Sequence, residues 1–206
     1  MTIIYHDGNR RFQDQFDSRR IADRLEQVTT RTAFTDDDRT FIESRILFFL
    51  ASADAEGRPT CNLKGGAPGF VRVAAPDELV FPDYDGNGMF LNIGNISVNP
   101  NIGLLFIDFE KPKRLRVDGT ASVSRDDPLI GRTVGAQLMV RVKVRAIFPN
   151  CPRYIPKMQL IEPSIYTPRE GIEPPEPGWK SFPEFKDAVH PRQETYRGGD
   201  DEANGA

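Results

Sequence analysis

Two stretches in the second half of the chain alternate apolar and polar residues with a period of two. In residues 114–124, Leu115 and Val117 fall on one side and Arg116 on the other, and residues 138–148 repeat the pattern. Successive side chains of a strand point to opposite faces, so each stretch predicts a strand with one buried and one wet face. A fold with two such long strands is built on an antiparallel sheet.

Five shorter apolar segments also have the length of strands. They are residues 46–51, 60–63, 70–73, 78–81 and 102–109. The turn sequence Asp54-Ala55-Glu56-Gly57 joins the first two into a hairpin. The pattern gives six or seven strands with short connections, which favours a mostly-β fold, a small antiparallel barrel with flanking helices, over an alternating α/β fold. The segment 102–109 is almost continuously apolar, which predicts burial on both of its faces.

Three segments have the spacing or end signals of helices. Residues 9–28 are expected to form one helix, with Asp7 or Asn9 as its N-cap. A second helix is expected to begin after Thr35, a good N-cap that is followed by three aspartates which suit the helix dipole. Residues 89–98 are expected to form a short helix before a proline.

These elements divide the chain of 206 residues into three parts. We expect a helical extension over residues 1–34, a β domain over residues 35–160 and a tail over residues 161–206. The tail is rich in proline, glycine and charge, and its last ten or so residues have a composition typical of disorder.

Composition excludes some classes of function. A formal net charge of −3 does not favour a nucleic-acid partner. No apolar run approaches the about 20 residues that cross a bilayer, and no signal peptide is visible, so we expect a cytoplasmic protein without a membrane partner. Cys61 and Cys151 are expected to be reduced. With only two histidines, His6 and His190, a Cys/His zinc site is close to excluded, and no metal site is expected.

Three segments suggest binding chemistry, and each also has a plain structural explanation. Residues 62–70 place paired glycines beside Lys64, which suits a phosphate but also an ordinary turn. Residues 81–96 are dense in Asn and Gly before a predicted helix start, which suits an anion or a surface loop. Arg114 and Arg116 share one face of a strand, where they could bind a phosphate or simply face solvent.

Taken in order, these pieces resemble the pyridoxamine 5′-phosphate oxidase-like FMN-binding proteins, in an uncharacterised bacterial branch. The resemblance spans about residues 5 to 160. It is carried by Lys64-Gly65-Gly66, by Pro82-Asp83-Tyr84-Asp85-Gly86-Asn87-Gly88 and by residues 50–59, 94–96, 99–109, 114–121 and 150–155. It implies a six-stranded, Greek-key-like split barrel, a homodimer with FMN at the subunit interface, and a small-molecule substrate.

The resemblance also implies which residues hold the cofactor. They come from the second strand, the loop after the fourth strand, the following helix and a basic strand: Asn62, Lys64, Gly65, Pro82, Asp83, Tyr84, Gly86, Asn87, Gly88, Asn92, Asn95, Arg114 and Arg116. The expected activity is that of an FMN-dependent oxidoreductase. No side chain is assigned a catalytic role, because the flavin performs the redox chemistry.

The end of the chain departs from the family pattern. Pyridoxamine-phosphate oxidases end with a tryptophan and an Arg-x-His-x-Arg type segment that supports the flavin and reads the substrate phosphate. Here Trp179 is followed by Val189-His190-Pro191-Arg192, so the resemblance does not extend to the vitamin substrate.

Other ligands remain compatible with such a barrel. A haem-binding relative would need an axial ligand, for which His6, His190 or Tyr84 would serve. A deazaflavin-dependent reductase, a non-catalytic flavin-binding protein and a protein-binding module are further alternatives. The glycine-rich loops do not discriminate between the two flavins.

Overall fold

The computed structural model describes residues 2–192 and residue 195. The strands within this part of the chain form a single antiparallel sheet in the order β2-β1-β5-β6-β7-β4-β3. They are β1 Leu47–Ala53, β2 Pro59–Gly65, β3 Arg72–Ala75, β4 Glu78–Tyr84, β5 Asn101–Asp108, β6 Lys113–Ser124 and β7 Ala136–Pro149.

The mostly-β split-barrel prediction is confirmed, with one correction of detail. The sheet has seven strands rather than six, because the short β3 adds to β4 as an edge. It is also open, since β2 and β3 are its two edges. The sheet therefore curls without closing, and side chains have to cover the opening.

The core of the sheet is built around aromatic rings. Phe48 has no exposed surface, and its ring centroid lies 5.9 Å from that of Phe70, 5.0 Å from that of Phe81 and 5.2 Å from that of Phe106. These rings come from β1, β4, β5 and the segment before β3, so they tie both halves of the curled sheet together. Edge-on and tilted contacts of this kind stabilise beyond the area they bury.

The two long strands bend where glycine permits it. The register of β6 on β7 shifts between Asp118 and Gly119. A Cβ atom on Gly119 would lie 2.3 Å from the carbonyl oxygen of Lys143, so only glycine lets the two backbones come this close.

The first predicted helix is two helices, α1 Asp7–Gln15 and α2 Arg19–Thr29. They are separated at Asp17, whose φ of 47° is left-handed and cannot continue a helix. The N-cap of α1 is His6 rather than Asp7 or Asn9, and the Oδ1 atom of Asn9 instead accepts a hydrogen bond from the backbone N–H of His6. An imidazole nitrogen accepts from a backbone N–H here as a cap oxygen would.

The other two helix predictions are confirmed. Helix α3 spans Asp36–Glu43, and Thr35 caps it by accepting a hydrogen bond from the N–H of Asp38 at 3.1 Å. Helix α4 spans Leu91–Val98, two residues shorter at its start than predicted. Within the described residues no helix has the length and apolarity needed to cross a membrane.

Strand β5 is buried on one face only. Ile102, Leu104 and Phe106 are buried, whereas Leu105 and Ile107 on the other side are half-exposed. The prediction of burial on both faces is thus wrong for the single chain. Strand pairing places these two beside further apolar residues of β1 and β2. We call this surface the outer apolar face; it consists of Leu47, Phe49, Leu63, Leu105 and Ile107.

After β7 the chain runs over the surface without a long helix or strand among its described residues. The N–H of Met158 donates to the carbonyl of Phe109 at 3.0 Å, and a short 3-10 turn forms at Gly178–Ser181. Several apolar residues after β7 are exposed to solvent, including Tyr154 and Ile161. The predicted disorder of the last ten residues falls outside the described part of the chain.

Phe48→Ala is expected to lower the free energy of unfolding by about 3–5 kcal/mol, because it leaves a cavity among three other rings. Phe12→Ala removes the same atoms from a side chain that is 54% exposed and is expected to change stability little. Urea denaturation of both variants checks this. Equal losses would show that Phe48 is not at the centre of the core.

Candidate functional site

The candidate site lies at the seam where the sheet fails to close. Strands β2 and β4 are not neighbours in the sheet, yet their side chains meet: Lys64 Nζ donates to Asp83 Oδ1 at 2.7 Å. A pocket of about 290 Å³ opens beside this ion pair. Most of the predicted cofactor residues line it, namely Asn62, Lys64, Asp83, Tyr84, Gly86, Asn87, Gly88 and Asn92.

Both carboxylate oxygens of the ion pair at the seam accept hydrogen bonds. Asp83 is a buried carboxylate, and Gln137 Nε2 donates to its Oδ2 at 3.3 Å and to the carbonyl of Tyr84 at 3.0 Å. Gln137 belongs to β7, so the seam is tied to the neighbouring strand as well. The arrangement fixes the Lys64 ammonium at the pocket wall.

A chain of amide hydrogen bonds fastens α4 to the sheet. Asn62 Nδ2 donates to Asn92 Oδ1 at 2.6 Å, and Asn92 Nδ2 donates to Ser52 Oγ at 2.9 Å. Ser52 Oγ also accepts from Asn95 Nδ2 at 3.0 Å. Asn92 and Ser52 are both buried, so these hydrogen bonds fix the position of α4, which forms one wall of the pocket.

The first turn of α4 is bare. Phe90 is the N-cap, its φ of 47° is left-handed, and no side chain caps the helix. The residues of this turn, Leu91–Ile93, line the pocket. Unused N–H groups and the positive end of the helix dipole make this end of the pocket suitable for an anion.

The tail is tied to the loop after β4 through Asp85, and His190 of the tail lines the pocket. This carboxylate accepts from Lys180 Nζ at 3.2 Å and lies 3.1 Å from His190 Nε2. The Lys180 side chain is only 4% exposed. Burial acts to raise the pKa of Asp85, but the hydrogen bonds from His190 and Lys180 outweigh it and lower that pKa. An ionised Asp85 therefore holds the tail on the pocket loop.

Five of the predicted residues do not line this pocket. Gly65 ends β2 and borders a neighbouring apolar groove, Pro82 is buried within β4, and Asn95 lies one turn along α4 on Ser52. Arg114 and Arg116 pair with Ile107 and Leu105 on the outer apolar face. In the single chain these arginines therefore lie on that face, and neither lines the pocket.

The structure separates the candidate haem ligands. His6 caps α1 and does not line the pocket, whereas His190 and Tyr84 do. Burial raises the pKa of Tyr84 to about 12, which disfavours the phenolate form that binds iron.

Three residues of the site were missed by the reasoning from sequence: Ser52, Gln137 and Lys180. Ser52 had a visible signal, because it is polar at an inward position of β1, after Phe48 and Leu50. The other two gave none of their own. Gln137 is polar within a half-buried strand, and Lys180 meets Asp85 across 95 positions of sequence.

The chain is similar to known proteins in sequence and in structure. A family model described as pyridoxamine 5′-phosphate oxidase matches residues 34–164. No curated protein matches by sequence.

Several solved structures share the architecture. HupZ of Group A Streptococcus is 21% identical, with 56% of this chain and 93% of that chain covered and a TM-score of 0.46. HutZ, the haem storage protein of Vibrio cholerae, is 20% identical over 54% and 91%, with a TM-score of 0.42. An FMN-binding protein of Syntrophomonas wolfei is 12% identical over 68% and 97%, with a TM-score of 0.44. Likenesses this distant do not bear on the ligand.

Lys64→Met is expected to lower the free energy of unfolding by about 2–3 kcal/mol, since it leaves Asp83 buried without its cation. Lys143→Met is the matched control, because its pair with Asp77 is exposed, and a change below about 1 kcal/mol is expected. Urea denaturation measures both. Equal effects would mean that the seam pair is as weak as a surface pair.

Acid is expected to release the tail. The folded pKa of Asp85 is lowered, so its contribution is full above the unfolded value of about 3.9 and is lost as pH falls below it. Trp179, the only tryptophan, lies next to Lys180 and reports tail docking by its fluorescence. Its emission should move to the red below about pH 4. Asp85→Asn should show that shift at neutral pH, and an unchanged spectrum would contradict the docking of the tail through Asp85.

Proposed function

Because the chain belongs to the pyridoxamine 5′-phosphate oxidase family, whose model matches residues 34–164, we propose that it is an FMN-dependent oxidoreductase that works as a homodimer. The observation that carries the proposal is the seam pocket. It collects most of the residues expected to hold FMN, from β2, β4 and α4, beside a bare helix start.

The residues present fit the chemical needs of FMN. The uncapped first turn of α4 suits the phosphate. The amides of Asn62 and Asn92 and the ammonium of Lys64 offer donors and acceptors to the edge of the ring. Met89 and Phe90 supply apolar surface against which a flat ring packs. Ligand pockets span about 300–1,000 Å³, so a pocket of about 290 Å³ in one chain encloses the cofactor only in part.

FMN, when bound, supplies the electron-transfer chemistry itself. The chain's own residues then bind and orient. Lys64, which pairs with Asp83 at the pocket wall, would donate a hydrogen bond to the edge of the ring. The hydrogen bonds through Asn92 and Ser52 hold α4 in place at the pocket wall. The tail, held by Asp85, limits the access of water to the pocket.

A second copy of the chain is proposed to complete the site. Leu63 is 58% exposed, lines the pocket and belongs to the outer apolar face, so the pocket opens onto that face. Covering this surface with another copy would remove apolar area from water and close the pocket. It would also bring the partner's Arg114 and Arg116 within reach of a bound phosphate, which keeps both as candidates.

The purified full-length chain is expected to be yellow, with the absorption bands of oxidised flavin and a released chromophore of the mass of FMN. Asn62→Ala should raise the Kd for FMN at least about tenfold, since it removes a polar partner in the pocket. Gln27→Ala, an exposed amide on α2, should leave Kd unchanged.

Other results of this experiment would each indicate a different ligand, or none. A colourless chain that takes up no added FMN would contradict the proposal. Uptake of deazaflavin instead would keep the barrel and change the cofactor. A Soret band after haem addition that is lost in His190→Ala and kept in His6→Ala would identify a haem-binding relative.

Sedimentation at micromolar concentration should show a dimer. Leu105→Arg places a charge in the middle of the outer apolar face and should give a folded monomer. Leu25→Arg is the control, because Leu25 is an exposed apolar residue on α2, away from that face. Dissociation by Leu25→Arg and not by Leu105→Arg would show that the interface lies on the helices. A monomeric wild-type chain would contradict the dimer.

A further inference from the structure

A β-bulge places Gln137 at the wall of the seam pocket. Leu138 pairs with Asp83 and Ala136 pairs with Tyr84, so the register of β4 on β7 shifts here and Gln137 is the extra residue. Bulges turn a side chain out of the regular alternation of a strand and are common next to active sites. Gln137 is half-buried and lines the pocket. The bulge therefore positions an amide side chain at the site.

The two partners of this amide determine which way it faces. Gln137 Nε2 lies 3.0 Å from the carbonyl oxygen of Tyr84 and 3.3 Å from Asp83 Oδ2. A peptide carbonyl can only accept a hydrogen bond, and so can a carboxylate that is paired with a lysine. The reverse orientation would bring Oε1 against two acceptors. The nitrogen therefore faces β4, and the oxygen is the end of the amide that a ligand in the pocket can meet.

The same carboxylate holds a donor beside this acceptor. Lys64 Nζ donates to Asp83 Oδ1 at 2.7 Å, while Gln137 Nε2 donates to Oδ2. Lys64 also lines the pocket, and its ammonium has further N–H groups to donate. The pocket wall thus presents an N–H donor and a carbonyl acceptor, both positioned by one buried carboxylate.

One edge of oxidised flavin is complementary to this pair. Its pyrimidine ring carries an N–H group at N3 between two carbonyl oxygens, and N3–H is the only N–H donor of the oxidised ring system. A carbonyl acceptor of the protein can therefore form an N–H···O bond with the ring only at N3. An ammonium next to that acceptor can donate to a neighbouring carbonyl oxygen of the ring. Haem has no such imide edge.

We propose that Gln137 is a specificity-determining residue, whose Oε1 accepts the hydrogen bond from N3–H of the flavin while Lys64 donates to an adjacent carbonyl oxygen of the ring. The inference rests on the proposed function, because it concerns the same cofactor in the same pocket. Gln137 then selects rings that have an imide edge, which FMN and deazaflavin share, over rings that lack one.

A cofactor analogue tests this contact without changing the protein. In 3-methyl-FMN a methyl group replaces the N3 proton, and the rest of the molecule is unchanged. The wild-type chain should bind FMN at least about tenfold more tightly than 3-methyl-FMN, because the methylated ring leaves the Gln137 oxygen without a donor. In Gln137→Ala the preference should fall to about twofold or less, because the acceptor is gone.

Asn62→Ala is the matched control. It removes another polar side chain of the pocket and should weaken the binding of both rings, so the preference for FMN should remain. A general loss of pocket structure likewise acts on both rings and leaves the ratio of the two dissociation constants unchanged. A wild-type chain that binds both rings equally, or a preference that survives in Gln137→Ala, would overturn the inference and leave the proposed function standing.

Two further measurements keep the test decisive. If Gln137→Ala does not fold, 15N-labelled FMN bound to the wild-type chain takes its place: N3–H should exchange with water more slowly than in free FMN, and an equal rate would overturn the inference. A chain that takes up no FMN would defeat the proposed function. The same comparison of 5-deaza-FMN with its 3-methyl derivative then decides the role of Gln137, and binding of neither ring would overturn that role as well.

Discussion

The structure depends on two strands that approach each other without pairing. The backbone ladder runs from β2 round to β3 and never joins β2 to β4, so the curled sheet has a seam. Side chains close it: Lys64 reaches Asp83, and Asn62 reaches Asn92. Exposed strand edges are usually blunted by charge or covered. Here the covering groups are polar and leave a pocket, so the feature that protects the edge also makes the candidate site.

The two ends of that pocket differ in chemistry. The α4 end offers N–H groups that no side chain caps, which suits a cofactor phosphate. At the tail end, Asp85 contacts Lys180 and His190 and so ties the tail to the loop after β4. The outer apolar face adjoins the pocket through Leu63, which links cofactor binding to the assembly of two chains.

Local sequence patterns were sufficient to predict the strands and most of the residues on one wall of the site. Alternation placed β6 and β7 to within two residues at each end, and the glycine- and asparagine-rich segments pointed to Asn62, Lys64 and Asn92. The break at Asp17 was missed because a left-handed aspartate leaves no mark on hydrophobic spacing. Long-range contacts were missed for a similar reason: His190 reaches Asp85 across 105 positions, and only the folded tail brings them together.

Hydrogen exchange with and without FMN tests most directly that the seam is the binding site. The account predicts that FMN slows exchange in residues 62–64 and 86–93, because these line the pocket, and leaves residues 138–145 of β7 unchanged. Slowing spread over the outer apolar face as well would fit closer association of two chains. If FMN is retained but the seam segments exchange as before, the cofactor binds elsewhere and the central claim is wrong.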